Sequence, residues 1–239
     1  MNYIKIGEGK EFMVFLHGWG ADLNSFYWLK NFYSDKVLIF VDFPGFGASA
    51  EPIKPYFVDD YVFELKTLLD NFDIEKLYLV GHSFGGRVAI KFVCYFQNIY
   101  NAINLCLIDS AGVLPRRGIR YYYKVWKYKA LKKKAKYSLK ARKQIENMGS
   151  SDYKKLSKIM KQTFVNVVNE DLLVFAKNIN VKTMIIWGRF DKDTKLYMAK
   201  KLRSAIKNSK LYILDNAGHF SFLDNRLDFL ILLDTFIKN

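Results

Sequence analysis

Residues 81–86, with the sequence GHSFGG, join a predicted strand directly to a predicted helix. Residues 76–80 before them form a short apolar run, and apolar side chains such as Val88 and Phe92 recur afterwards at helical spacing. A chain that reverses within so few residues needs glycine, because a Cβ atom would collide across the turn. The pattern predicts a tight strand–turn–helix unit with Ser83 at its tip. Two interpretations of Ser83 follow, an exposed nucleophile or a residue that merely caps the helix.

Short apolar runs alternate with helical stretches along most of the chain, which predicts an α/β fold with a doubly wound, mostly parallel central sheet flanked by helices. In such sheets, ligands bind beyond the carboxyl ends of the strands, and residues 81–86 lie at such an end. Asn24 or Ser25 is predicted to cap the first helix. The predicted strands span residues 3–6, 12–16, 37–41, 77–80, 103–108, 183–187 and 210–214, and the predicted helices span 24–32, 59–72, 84–96 and 194–206, with a closing helix that carries Leu230, Leu233 and Ile237.

The region between Gly112 and Val181 interrupts this alternation, because it contains no strand-like run. Apolar residues recur there at helical spacing, and a second helical stretch is predicted over residues 152–168, after a break at 149–150. We therefore predict three segments: a first part of the core at 1–112, a helical insertion at 113–175, and a second part of the core at 176–239. The first helical stripe consists of Tyr121, Val125, Tyr128, Leu131, Ala135 and Leu139.

The net charge of +15 is concentrated in that insertion. Residues 113–165 carry 17 Lys and Arg but only two acidic residues, whereas the rest of the chain has 21 of each sign. One interpretation is a solvated helical face. The other is a surface that attracts an anionic partner: an acidic acyl carrier protein, an anionic membrane surface or an anionic substrate. Nucleic acid is not favoured, because the chain has no nucleic-acid-binding signature. Aromatic residues accompany the charge at Tyr121, Tyr122, Tyr123, Trp126 and Tyr128.

The two cysteines, Cys94 and Cys106, lie within a predicted helix and a predicted strand, without the spacing of a metal site. We expect both to be buried core thiols, no bound metal or cofactor, and a cytoplasmic location. The amino terminus lacks the pattern of a signal peptide, and no window approaches the ~18 apolar residues that a membrane-spanning helix needs.

A serine nucleophile needs a base and an orienting carboxylate. Of the three histidines, His219 follows the last predicted strand on a glycine-containing loop and is the one free to approach Ser83. Asp191 is the predicted carboxylate, because the order Ser83, Asp191, His219 is one of those known for Ser–His–Asp hydrolases. Asp109 also ends a strand and remains an alternative, and Asp193 lies two residues beyond Asp191.

An acyl-transfer site also needs backbone N–H groups that stabilise an oxyanion. Phe84, directly after Ser83, is predicted to supply one, and Trp19 in the segment HGWG (residues 17–20) the other. Trp19, His82 and Phe84 are the predicted substrate contacts.

Three segments together resemble one family: HGWG, GHSFGG and DFPGFGAS at residues 42–49. The chain resembles α/β-hydrolase-fold proteins over essentially its whole length, most of all small carboxylesterases such as the pimeloyl-carrier-protein methyl esterases, and related C–C bond hydrolases. Ser83 separates it from haloalkane dehalogenases and epoxide hydrolases, which use a carboxylate nucleophile. In the family's order of strands, the insertion corresponds to a cap that follows the sixth strand. Two features depart from the family: the stretch before His17 is short, so that the usual first strands are expected to be reduced to one, and the cap is unusually basic.

The resemblance implies that Ser83 attacks an ester or thioester and forms an acyl-enzyme, with His219 as base, Asp191 as its partner and the Trp19 and Phe84 N–H groups on the oxyanion. C–C bond hydrolysis and perhydrolysis use the same groups and remain alternatives. So does a weakly catalytic binding protein whose basic cap docks an anionic partner.

Overall fold

A computed structural model describes residues 1–100, 102–116, 118–146 and 151–238. The described strands form one sheet in the order β1-β3-β2-β4-β5-β6-β7, in which β1 pairs antiparallel with β3 and every other pair is parallel. The predicted mostly parallel sheet is therefore confirmed. The strands are β1 Asn2–Ile6, β2 Glu11–Leu16, β3 Val37–Asp42, β4 Lys76–His82, β5 Ala102–Ile108, β6 Lys182–Gly188 and β7 Ser209–Leu214.

Helices cover both faces of this sheet. The first is short, because α1 is a single turn continued by a 3₁₀ turn at Trp28–Asn31. Its N-cap is Leu23, without a side-chain bond, so the prediction that Asn24 or Ser25 caps it is wrong. The helices are α1 Asn24–Tyr27, α2 Val58–Leu69, α3 Phe84–Phe96, α4 Ile119–Lys134, α5 Leu139–Glu146, α6 Ser151–Lys155, α7 Lys158–Val168, α8 Leu173–Ala176, α9 Leu196–Ala205, α10 Ser221–Asp224 and α11 Arg226–Lys238.

Strands β2 to β6 are buried on both faces of the sheet, which explains why they are continuous apolar runs, whereas β1 at the edge alternates. In β2, Val14 belongs to the core layer that includes α2 and α3, whereas Met13 and Phe15 belong to the opposite layer, with α1 and α11. All three side chains are essentially inaccessible to solvent. Burying a side chain of this size stabilises the fold by about 1.5–3 kcal/mol.

Helices α4–α8 lie between β5 and β6 along the chain, and the described residues of this region include no strand. The limits of the insertion at 113 and 175 stay a prediction, and the predicted break at 149–150 lies outside the described residues. The predicted stripe is half-buried at Val125, Tyr128 and Leu131 in α4. It does not continue to Leu139, which is 74% exposed, because α4 ends before that residue.

Both cysteines are free thiols. Cys106 in β5 is buried, but Cys94 in α3 is only partly buried, so the prediction of two core thiols is wrong for Cys94. Within the described part of the chain, no helix has both the length and the apolarity needed to cross a bilayer.

Candidate active site

Ser83 occupies a strained turn between β4 and α3. Its backbone has φ 49° and ψ −108°, a combination that costs about 1–3 kcal/mol in a non-glycine residue. A Cβ atom at Gly81 would lie 2.7 Å from the carbonyl oxygen of Gly85. A Cβ atom at Gly85 would collide with the carbonyl oxygen of Leu16 in β2. The two glycines are therefore required because the turn is pressed against itself and against the neighbouring strand.

Backbone hydrogen bonds hold this turn on both sides. The Ser83 N–H donates to the Ile108 carbonyl (3.0 Å), and the Ala111 N–H donates to the Ser83 carbonyl (3.0 Å). The end of β5 thus supports the turn. The Ser83 side chain makes no capping bond to α3, so the helix-cap interpretation is wrong.

The Ser83 hydroxyl instead starts a chain of side-chain hydrogen bonds. Ser83 Oγ lies 3.0 Å from His219 Nε2, and His219 Nδ1 lies 2.9 Å from Asp191 Oδ2. The Asp191 side chain is fully buried and that of His219 is 15% exposed. A carboxylate only accepts, so Nδ1 carries the imidazole proton and Nε2 is free to accept from the serine. The structure thus brings together three residues separated by up to 136 positions in the sequence.

Asp191 is fixed by its own loop. Its Oδ1 accepts the backbone N–H groups of Asp193 (2.8 Å) and Thr194 (2.9 Å), and Thr194 Oγ1 lies 2.6 Å from Oδ2. Burial raises the pKa of Asp191, but the hydrogen bonds from His219 and Thr194 outweigh it and hold the pKa below its usual value. Sequence reasoning missed Thr194, although the Asp-x-x-Thr spacing is typical of a turn in which Asp accepts backbone N–H groups.

The pKa of the His219 imidazole depends on its burial and on Asp191. Burial lowers its pKa, but the hydrogen bond to Asp191 and the charge of that carboxylate outweigh burial, so the pKa of His219 is raised. The group therefore becomes a better proton acceptor. The loop that carries His219 is held in place by His82, whose Nε2 lies 2.7 Å from the carbonyl oxygen of His219.

His82 is only 1% exposed, which does not fit the predicted contact with substrate. Because the His219 carbonyl can only accept, His82 Nε2 carries the proton and donates it there. Burial lowers the pKa of His82 to about 3, so the ring stays neutral. Its Nδ1 is buried without a partner among the described residues. The side chain acts as a support for the His219 loop rather than as a wall of a pocket.

Asp109, the alternative carboxylate, lies at the end of β5 and is completely buried. The N–H of Gly188, at the end of β6, donates to its Oδ1 (2.7 Å), and the N–H of Ser221 donates to its Oδ2 (3.0 Å). Burial raises the pKa of Asp109 to about 7, against those bonds. Asp109 thus ties the loop after His219 to the strand before Asp191, whereas the carboxylate on the imidazole is that of Asp191.

The segment 17–20 lies directly over the turn. A Cβ atom at Gly18 would be 3.5 Å from Ser83 Cβ and 2.9 Å from His82 Nδ1, so only glycine fits. His17 holds this segment in place: its Nδ1 is 2.7 Å from the Gly18 carbonyl, and its Nε2 accepts the Phe43 N–H (3.1 Å). Burial lowers the pKa of His17, so the ring is neutral and structural.

The backbone N–H groups of Trp19 and Phe84 are the predicted oxyanion donors. Across the described chain, neither is paired with a protein acceptor. Phe84 is also the first residue of α3, where the helix dipole favours negative charge. The rings of Trp19 and Phe84 pack edge to face at 5.4 Å, and Trp19 also contacts Phe164 of α7 at 5.2 Å. An aromatic wall therefore connects the turn to the helical insertion.

The segment 42–49 orders the loop beside this wall. Asp42 is buried, and its Oδ2 accepts the Ala48 N–H (2.9 Å). Gly47 has φ +54°, and a Cβ atom there would collide with the Asp42 carboxylate. The loop carries Phe46, whose ring lies 4.8 Å from that of Trp19. The motif therefore has a structural role at the edge of the site.

One set of side chains in the described residues could geometrically hold a cation. Asp191, Asp193 and His219 each offer one ligand atom within 4.8 Å of the others. However, both oxygens of Asp191 already accept hydrogen bonds, one of them from His219. The arrangement suits proton transfer better than metal binding.

Comparisons with known proteins identify the family of the chain. A model of the alpha/beta hydrolase family matches residues 13–231, so the chain belongs to that family. It is 26% identical over 240 residues to the AB hydrolase superfamily protein YisY of Bacillus subtilis, covering 92% of this chain and 89% of that protein. It is 25% identical to a 2-hydroxy-6-oxononadienedioate/2-hydroxy-6-oxononatrienedioate hydrolase of Pseudomonas putida, covering 92% of this chain and 86% of the relative.

Among solved structures, an esterase from Exiguobacterium antarcticum has the same fold. It matches with a TM-score of 0.76 and 24% identity, over 99% of this chain and 95% of the esterase. The predicted fold class and the predicted α/β-hydrolase family are confirmed.

Proposed function

We propose that this α/β-hydrolase is a serine esterase or thioesterase that works through an acyl-enzyme on Ser83. The observation that carries the proposal is the hydrogen-bonded chain from Ser83 Oγ through His219 to Asp191, at 3.0 and 2.9 Å. Those distances are within the range expected of a nucleophile, its base and the group that orients the base. The strained backbone of Ser83, with φ 49°, supports the same assignment, because a nucleophile elbow holds its serine in such a turn.

In the first half of the reaction, Ser83 Oγ attacks the carbonyl carbon while its proton passes to His219 Nε2. The carbonyl π electrons move to oxygen, and the N–H groups of Trp19 and Phe84 stabilise the resulting oxyanion. When the intermediate collapses, the bond to the leaving alcohol or thiol breaks. His219 returns the proton to that leaving group.

In the second half, His219 takes a proton from water as the water attacks the acyl carbonyl. Collapse of this second intermediate restores the Ser83 hydroxyl with the proton from His219 and releases the carboxylic acid. Asp191 stays ionised throughout and stabilises the imidazolium, which its lowered pKa favours. Each ester consumed uses one water and leaves the enzyme unchanged.

Hydrolysis of p-nitrophenyl esters of increasing acyl length tests the proposal. We expect turnover by the wild type and a loss of about 10⁴- to 10⁶-fold in kcat for Ser83→Ala. Ser204→Ala, on the exposed surface of α9, is the matched control and should retain wild-type rates. A wild type no faster than Ser83→Ala on every ester would refute esterase activity.

C–C bond hydrolysis is the second candidate, since the 25% identical relative from Pseudomonas putida carries that kind of substrate in its name. Its substrate, 2-hydroxy-6-oxononadienedioate, is the compound to test against this chain. Cleavage of that compound without ester turnover, and its loss in Ser83→Ala, would assign the site to C–C hydrolysis instead.

A further inference from the structure

One face of α4 exposes a row of large apolar and aromatic side chains. Ile119, Tyr122, Tyr123 and Trp126 follow the i, i+3, i+4, i+7 spacing that places them on the same side of a helix. They are 90%, 61%, 59% and 65% exposed. The rings of Tyr123 and Trp126 lie against each other, with centroids 6.1 Å apart. We call these four residues the aromatic face of α4.

Another side of α4 is the more buried one. Val125, Tyr128 and Leu131 occupy another side of the helix and are half-buried. The more buried side of α4 is therefore the one with Val125, Tyr128 and Leu131, whereas the four side chains of the aromatic face are each more than half exposed. Large exposed apolar patches of this kind typically mark an interaction site.

The same helix is strongly basic. Its last turn ends in Lys132, Lys133 and Lys134, and its sequence contains no acidic residue. Lys127 and Lys129 are exposed as well. In the described part of the chain none of these five lysines forms an ion pair, whereas lysines elsewhere, such as Lys10 and Lys238, do. Among the described residues, no ion pair thus compensates the positive charge of these lysines.

We propose that the aromatic face of α4, with Lys127, Lys133 and Lys134 beside it, docks the enzyme on an anionic lipid surface. Lysines alone would suffice to attract an acidic protein, but they do not account for an exposed tryptophan and two tyrosines on one helix face. Aromatic rings with a polar tip suit the headgroup region of a bilayer, where one end is apolar and the other is hydrated. A basic helix with an aromatic side that lies flat in that region meets both requirements.

Vesicle co-sedimentation of the full chain tests the inference. Ser83→Ala is used, so that binding is measured without lipid hydrolysis and independently of the proposed esterase function. We expect binding to vesicles of phosphatidylcholine with 30 mol% phosphatidylglycerol and little binding to pure phosphatidylcholine, with the difference reduced at high salt. Equal binding to both vesicle types, or to neither, would overturn the inference.

Two sets of substitutions assign the binding to α4. Lys127→Gln, Lys133→Gln and Lys134→Gln together should weaken binding roughly a hundredfold, because each lysine near an anionic surface contributes about fivefold. Tyr123→Ser with Trp126→Ser should weaken it by roughly tenfold or more, since apolar burial is lost. The matched control replaces Lys177, Lys207 and Lys210, exposed lysines near the amino ends of β6 and β7, by Gln.

The control should bind as tightly as the unsubstituted protein, and wild-type unfolding midpoints should show that all variants are folded. If the control weakens binding as much as the α4 variants do, net charge rather than this surface is responsible and the inference fails. Salt-sensitive binding to an acidic acyl carrier protein, with no binding to anionic vesicles, would assign the surface to a protein partner and likewise overturn it.

Discussion

Replacing Asp191 by Asn tests the proposed role of the carboxylate, because the structure dictates how the amide must sit. Two backbone N–H groups, of Asp193 and Thr194, donate to Oδ1 at 2.8 and 2.9 Å. The amide oxygen must keep that position, since an NH₂ group there would face two donors. The NH₂ group is therefore placed where Oδ2 now accepts from His219.

An NH₂ group at that position donates to Nδ1 and so moves the imidazole proton to Nε2. In that tautomer His219 cannot accept the proton of Ser83, although the three side chains remain in place. We expect kcat to fall about 10⁴-fold with little change in KM, which corresponds to about 5 kcal/mol of transition-state stabilisation.

The assay is steady-state hydrolysis of the best p-nitrophenyl ester between pH 5 and 9. For the wild type, kcat/KM should fall as the pH drops through the pKa of His219, because a protonated imidazole cannot act as base. That pKa is raised by Asp191, so the midpoint should lie above the ordinary histidine value of about 6.5. In Asp191→Asn, the pH dependence of the residual kcat/KM should no longer show this raised midpoint.

Asp73→Asn is the matched control, since the Asp73 side chain is 78% exposed and lies before the amino end of β4, far from the reacting atoms. It should change kcat by less than about twofold, as surface substitutions away from the reacting atoms typically do. The reasoning is refuted if Asp191→Asn keeps most of its activity while Asp109→Asn loses about a thousandfold or more. That result would make Asp109 the partner of His219.

Two further substitutions test the scaffold. Gly85→Ala should lower the free energy of unfolding by at least about 2 kcal/mol in urea titration, because its Cβ collides with the Leu16 carbonyl. Gly118→Ala is the control, because a Cβ atom there meets open space. Equal losses of stability in the two variants would contradict the steric argument. Asp109→Asn should cost about 1–3 kcal/mol by the same measurement, because its amide leaves one of two buried N–H groups without an acceptor. Wild-type stability in Asp109→Asn would show that this tie is dispensable.

Much of the fold is predictable because the signals are local. The apolar runs of β2 to β6 are continuous because both faces of these strands are covered, and a strand of that kind is recognisable from its own residues. The turn at Ser83 is likewise predictable, because glycines lie within two positions of it. The first helix was less predictable, because it is one turn long and is capped without a side chain.

The sequence does not show which residues from distant parts of the chain meet at the site. Asp109 and Asp191 both follow strands and are chemically equivalent, and only the packed sheet shows that Asp191 Oδ2 is 2.9 Å from His219. Similarly, His82 adjoins Ser83 in the sequence, but the alternation of side chains in a strand buries it beneath His219.

The sequence by itself determined the α/β class, the strained turn and the chemical type of each group, because these depend on residues within a few positions of one another. The tertiary structure decided which carboxylate meets the imidazole, which histidine supports the loop and which side of α4 remains in solvent. The contacts at the site join segments as far apart as 137 residues, and side-chain packing of the whole sheet fixes them.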